Sequence, residues 1–204
     1  MNTVAKTKEV KEKQKVGLFF GSFNPIHIGH LCIANYFSEY TDLKEVWFVV
    51  SPHNPLKPKS SLLADHHRLE LVRLALSDFP KFRVCDIEFK LSKPSYTIHT
   101  LAYLNEKYPN KDFVLIMGTD NLITFSKWKN YEQILLNYQL YVYPRPDSEN
   151  SEWHNHASVR LVDAPLMEIS STFIRSALKA KKEIPFFIPD KAYQYLKEMH
   201  FYEK

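Results

Sequence analysis

At 204 residues, 45% of them hydrophobic and 25% charged, the chain can bury one core of ordinary size without disulfides. Its formal charge of +4 is mostly local, because residues 1–15 hold five lysines against two glutamates. The remainder offers no general polyanion surface, so nucleic acid is not an expected partner. No apolar run nears the roughly 20 residues that span a bilayer, and "MNTVAKTKEVKEKQK" has no apolar signal core, so no membrane or secretory role is expected.

Residues 1–15 read as a disordered, solvated Lys/Glu tail and 16–204 as a single domain. "VGLFF" (16–20) has the continuous apolar character of a strand buried on both faces. A helix follows over about 28–40, and "EVWFVV" (45–50) reads as a second buried strand. Three prolines in "SPHNPLKPKS" (51–60) make that stretch a loop. Leu69, Val72 and Leu76 give "ADHHRLELVRLALSD" (64–78) one helical face. "FRVCD" is the third strand, and a helix runs from "KPSYT" to about Lys107. "DFVLIMG" (112–118) is the fourth strand, followed by a single short helical region over about 121–136.

"YQLYVYPRP" is a strand stopped by Pro144, residues 145–157 are a polar surface loop, and "SVRLVDAP" is a last strand. Helices close the chain at about 172–179 and 190–199. Cys32 and Cys85 fall inside elements and read as buried free thiols, which places the protein in a reducing, cytoplasmic compartment. Repeated β–α units predict a Rossmann-like α/β fold, a doubly wound, mostly parallel sheet with helices on both faces. Ligands of such a sheet lie beyond the carboxyl ends of its strands.

The first strand ends in "GSFNPIHIGH" (21–30), which takes two of the chain's 4 glycines. The spacing is neither a Walker A loop nor the dinucleotide G-x-G-x-x-G. It offers a turn, Gly21-Ser22-Phe23, whose N–H groups can approach an anion, and a helix N-terminus just beyond. His27 and His30 stand three apart and share a helical face above that point. No third ligand lies nearby in sequence, so no protein metal site is expected. Far downstream, Ser170, Ser171 and Thr172 in "ISSTFIRS" (169–176) are N-cap material, and Arg175 in the first turn can clamp phosphate oxygens.

G-x-F-x-P-x-H-x-G-H together with I-S-S-T-x-x-R resembles the paired signature of the nucleotidylyltransferase superfamily. Three stretches between them are similar to the nicotinate-nucleotide adenylyltransferase family: "PSYTIHT" (94–100), "GTDNLITFSKW" (118–128) and "SPHNPLKPK" (51–59). With "IPFFIPDKAYQYLKEMHFY" the resemblance covers about 16–202. It implies adenylyl transfer from ATP to nicotinate mononucleotide, giving nicotinate adenine dinucleotide and pyrophosphate. His27 and His30, with Gly21, Ser22 and Phe23, would hold the phosphate under attack. Ile169, Ser170, Ser171, Thr172 and Arg175 would hold the β- and γ-phosphates, and Gly118 and Asp120 a ribose.

The mononucleotide would meet Asn24, Lys57, Tyr96, Thr97, Trp128 and Lys129, with Trp128 stacked on the pyridine. Backbone N–H groups near Thr97 and Lys129 would donate to its carboxylate. Mg²⁺ would enter largely on phosphate oxygens. The sequence departs from the family at Asn24 and His99, both positions where Asp is more usual; Asn24 keeps a side chain suited to a structural turn. His66, His67, His154 and His156 read as surface residues. Nicotinamide mononucleotide or phosphopantetheine as acceptor, a non-catalytic nucleotide binder and a homo-oligomeric assembly all stay open.

Overall fold

The structure is a computed structural model that describes residues 13–52, 62–146 and 151–203. In chain order its elements are β1 (Gln14–Gly21), α1 (Ile28–Tyr40), β2 (Glu45–Val50), α2 (Asp65–Leu76), β3 (Phe82–Cys85), α3 (Thr97–Lys107) and β4 (Lys111–Gly118). There follow α4 (Thr119–Ile123), α5 (Tyr131–Asn137), β5 (Gln139–Tyr143), β6 (Val159–Leu161), α6 (Ser171–Lys179) and α7 (Asp190–Glu198). The strands form one sheet in the order β3-β2-β1-β4-β5-β6, with every neighbouring pair parallel. The winding reverses between β1 and β4, and at such a reversal the connections diverge to opposite faces and leave a crevice at the carboxyl ends of the two strands.

Alternating side chains feed two cores. Val46, Phe48 and Val50 of β2, Val114 and Ile116 of β4, and Tyr141 and Tyr143 of β5 pack under α1, α2, α6 and α7. Trp47 and Val49, Phe113, Leu115 and Met117, and Leu140 and Val142 face the other way, toward α3, α4 and α5. Both faces being covered explains why the strands read as continuous apolar runs rather than alternating ones.

Four expectations change. β1 starts at Gln14, so Gln14 and Lys15 belong to the sheet and not to the tail; Lys15 Nζ pairs with Asp42 at 2.8 Å. The single helix expected over 121–136 is three pieces: α4, a 3₁₀ turn at Phe125–Lys127, and α5 after a left-handed Asn130 (φ 53°). Ile123-Thr124 is a weak helical pair and Phe125 is fully buried, so the chain breaks to seat that ring, and Asn tolerates the left-handed corner. The buried face of α2 is Arg68, Leu71, Val72, Ala75 and Leu76, with Leu69 only half-buried. Within the expected loop, Glu152–Asn155 forms a 3₁₀ turn capped by Ser151.

Cys32 is half-buried, Cys85 is buried, and both are free. Among the described residues no helix is long and apolar enough to cross a membrane.

Candidate active site

Directly after β1 the chain turns so sharply that Phe23 takes a left-handed conformation (φ 43°), unusual for a bulky residue. Its ring holds the turn down, packed 5.5 Å from Phe48, 6.0 Å from Phe19 and 5.1 Å from His30, and 1% exposed. Phe23 thus brings its backbone to the site and its ring to the core. The oxygens of this turn are engaged from outside it. Arg68 donates Nη1 to Ser22 O at 2.5 Å and to Ser51 O at 2.7 Å, Nε to Leu63 O at 3.1 Å, and Nη2 to Asp65 at 2.6 Å.

Arg68 is wholly buried. An unpaired guanidinium there would cost several kcal/mol, so the four contacts are the condition of its presence. Asn24 is also buried; its Oδ1 accepts Leu63 N–H at 3.1 Å and the Tyr202 hydroxyl at 2.5 Å.

His27 caps the N-terminus of α1 and His30 is its third residue, with ring centroids 3.7 Å apart. The His27 N–H donates to His30 Nδ1 at 3.2 Å, which leaves His30 Nε2 to carry that ring's proton. His27 Nδ1 is buried with no hydrogen-bond partner among the described residues, 3.1 Å from where a Gly29 Cβ would stand. A buried lone pair is cheaper to orphan than a buried N–H, so Nε2 is the donor of this ring as well. A Cβ on Gly29 would also stand 3.2 Å from His27 Cε1, so glycine between the two histidines leaves the His27 ring its room. Burial lowers the His27 pKa to about 4, helped by the nearby positive charge of Arg145. Burial, His27 and Arg145 together hold His30 well below its ordinary value. Both imidazoles are neutral at physiological pH.

The second motif docks on the first across about 150 residues of chain. Ser170 caps α6, its Oγ accepting the Phe173 N–H at 3.1 Å. Ser171 Oγ donates to Pro25 O at 2.9 Å. Arg175 donates Nη1 to Asn24 O at 2.8 Å and Nη2 to Thr172 Oγ1 at 3.2 Å. The amino ends of α1 and α6 therefore meet beside one turn, and both present N–H groups suited to phosphate.

At the end of β4, a Cβ on Gly118 would stand 2.4 Å from Asp120 Oδ1 and 2.6 Å from Arg145 Cγ. Glycine here makes room for an Asp–Arg pair (Nε–Oδ1 4.0 Å), and Arg145 N–H donates to Thr119 Oγ1 at 2.9 Å. Farther along that edge, the Lys129 ammonium lies 4.3 Å from the Tyr96 ring, which joins the segment before α3 to the segment after Phe125. Thr97 opens α3, His99 meets Tyr96 edge-on at 5.6 Å, and Trp128 is half-buried with its ring 5.4 Å from Phe125. Lys57 lies outside the described residues.

Residues 18–177 match the cytidylyltransferase-like family. Over 192 residues, 93% of this chain and 100% of the other, the sequence is 54% identical to a "Probable nicotinate-nucleotide adenylyltransferase" of Flavobacterium psychrophilum. A relative of the same name from Cytophaga hutchinsonii is 59% identical over 174 residues, 85% of this chain and 91% of its own. This chain belongs to the nicotinate-nucleotide adenylyltransferase family. The fold agrees: the Plasmodium falciparum nicotinic acid mononucleotide adenylyltransferase complexed with NaAD superposes with a TM-score of 0.77 at 20% identity, covering 93% of this chain and 98% of that one.

Sequence reasoning about this adenylyltransferase passed over Arg68, Arg145, Glu88 and Tyr202. Arg68 was detectable as an arginine on the apolar stripe of a helix, and Arg145 as a charge between two prolines at a strand's carboxyl end. Glu88 is buried and accepts from Thr100 Oγ1 at 2.9 Å; burial pushes its carboxyl up, against hydrogen bonds from Ser51, Thr100 and Ser95. Of the histidines read as surface residues, His67 is half-buried against Tyr195 OH (2.9 Å), and His154 and His156 are half-buried with Nδ1 accepting nearby backbone N–H groups. Among the described residues no group of three His, Cys, Asp or Glu could hold a metal ion. The polar groups at the turn after β1 are hydroxyls, N–H groups and neutral imidazoles, a set that would suit a Mg²⁺ carried on phosphate oxygens and water rather than one caged by side chains.

Proposed function

We propose that this protein joins ATP to nicotinate mononucleotide, releasing pyrophosphate and forming nicotinate adenine dinucleotide, at the crevice between the ends of β1 and β4. The single observation behind the placement is the docking of Ser171 and Arg175 onto the carbonyls of Pro25 and Asn24. It makes one anion-binding surface of two distant motifs.

A phosphate oxygen of the mononucleotide attacks the α-phosphorus of ATP in line. The bond to the bridging oxygen breaks, and its electron pair leaves with pyrophosphate. The nucleophile is already an anion, so no side chain need take a proton, and catalysis is positioning with charge stabilisation. The turn N–H groups of Ser22 and Phe23 and the Nε2–H groups of His27 and His30 donate to α-phosphate oxygens. The α6 terminus, with Ser170, Ser171, Thr172 and Arg175, holds the leaving pyrophosphate. A Mg²⁺ on the triphosphate would neutralise charge between phosphates when bound.

On the other side of the crevice Trp128 takes the pyridine ring, and Gly118 and Asp120 take a ribose. The N–H groups near Thr97 and Lys129 donate to the carboxylate, an acceptor that an amide cannot match without setting its own NH₂ against a donor. Turnover of nicotinate mononucleotide, nicotinamide mononucleotide and phosphopantetheine with ATP, read by pyrophosphate release, tests this. The acid should lead by 10-fold or more; equal turnover of the amide, or preference for phosphopantetheine, overturns it.

A further inference from the structure

Tyr202 stands in the last turn of the described chain, 178 residues from the phosphate turn, yet its hydroxyl donates to Asn24 Oδ1 at 2.5 Å. The backbone there is left-handed (φ 66°), a conformation that a tyrosine keeps only when its surroundings impose it. Asn24 is 4% exposed, and its two oxygens are the meeting point of three elements. Oδ1 takes the phenol from the C-terminal turn and the N–H of Leu63 from the segment before α2, while its carbonyl oxygen takes Arg175 of α6. The phenol also lies close to Arg68 and Arg175; burial nonetheless keeps it protonated far above the usual tyrosine range, so it remains a donor.

We propose that Tyr202 is a positioning residue for adenylyl transfer. Its hydroxyl fixes the Asn24 side chain and with it the Ser22–Asn24 backbone, whose N–H groups must meet the α-phosphate in its transition state. The Asn24 amide oxygen supplies the acceptor that the phenol and the Leu63 N–H share.

The proposal rests on the adenylyl-transfer reading, and the test keeps the two apart. Wild-type, Tyr202→Phe, Asn24→Ala and the double variant are assayed for kcat and for KM of ATP at a temperature at least 15 °C below the lowest Tm of the set. Turn N–H groups displaced by a fraction of an ångström still touch the ground state but miss the transition state. Tyr202→Phe should therefore lower kcat about 10-fold or more with KM for ATP moving less than about threefold. In the Asn24→Ala background the same change should cost less than about twofold, because the route is already cut.

A folded Tyr202→Phe protein with lower Tm and wild-type kcat overturns the proposal and leaves a purely structural contact. A further full loss in the Asn24→Ala background overturns the route through Asn24. Absence of turnover by the wild-type protein overturns the proposed reaction, whereas wild-type turnover that Tyr202→Phe leaves undiminished overturns the positioning role alone. Should Tyr202→Phe fail to fold, Tyr202→Met, which also removes the hydroxyl and keeps an apolar side chain in its place, is read in the same way.

Discussion

At the phosphate turn, four oxygens within residues 22–25 are held by groups from three other parts of the chain: Ser22 O by Arg68, Asn24 O by Arg175, Asn24 Oδ1 by Tyr202 and Leu63, and Pro25 O by Ser171. At the edge proposed for the pyridine, Tyr96 and Lys129 meet through one exposed cation–ring contact, and Trp128 is half-buried with its ring 5.4 Å from Phe125. The difference follows the chemistry. A transition state must be met to within a fraction of an ångström, whereas an aromatic ring binds well over a range of offsets. Substitutions at the turn should therefore act on kcat, and substitutions at the edge on KM.

The largest effect belongs to the turn. His27→Ala should lower kcat by about 10²-fold or more, the scale for losing one preorganised donor, with the protein still folded: loss of the buried ring lowers Tm, but no hydrogen bond of Nδ1 is lost with it. Near-normal kcat in the folded variant would remove His27 from catalysis. At the edge, Trp128→Ala should raise KM for nicotinate mononucleotide by about 5- to 150-fold, the range for losing about 1–3 kcal/mol of base–aromatic stacking. KM for ATP should stay nearly constant. Loss of both substrates equally, or unfolding, would make Trp128 a core residue and erase the contrast.

Acid should separate the regions as well. His27 titrates near 4 when folded and near its ordinary 6.5 when unfolded, so the unfolded chain binds more protons between those values. Stability is then full above about pH 6.5 and falls as pH drops toward 4, by about 2 kcal/mol at pH 5 from this group alone. The Tm of the wild-type protein should fall between pH 7 and pH 5 by more than that of His27→Gln, whose amide does not titrate there. Parallel curves would mean that His27 is more hydrated than its 5% exposure implies.

The parts of this molecule that were legible in sequence are those carried by local pattern. The buried parallel strands show as apolar runs, and the two motifs that dock on each other show as caps, glycines and histidines at fixed spacing. What stayed hidden depends on contacts across long separations. Nothing near Tyr202 announces Asn24, and nothing near Arg68 announces Ser22, because a buried polar partner is specified by the fold and not by its neighbours. The break at Phe125 was lost for a related reason: a core pocket for one ring outweighs the helical tendency of its segment. The tail boundary was misplaced because Gln14 and Lys15 are polar residues opening a strand, where pattern is weakest.

That boundary gives the smallest effect and the finest test. Once Gln14 and Lys15 are assigned to β1, residues 1–12 carry three lysines, two glutamates and no apolar periodicity. Removal of a segment with that composition should leave the domain as it was. Lys15 differs: its ammonium reaches Asp42 at 2.8 Å and Gln139 at 3.1 Å, tying β1 to the start of β5. A partly exposed pair is worth about 1 kcal/mol at most, or roughly 2–4 °C in a protein of this size. A chain beginning at Lys13 should therefore melt within about 1 °C of the full protein and keep its kcat. A chain beginning at Val16 should melt a few degrees lower, again with unchanged kcat, because β1 enters the sheet at the end opposite the phosphate turn. A drop in kcat for either form would tie the amino-terminal segment to catalysis, and equal melting of the two would return Gln14 and Lys15 to the tail.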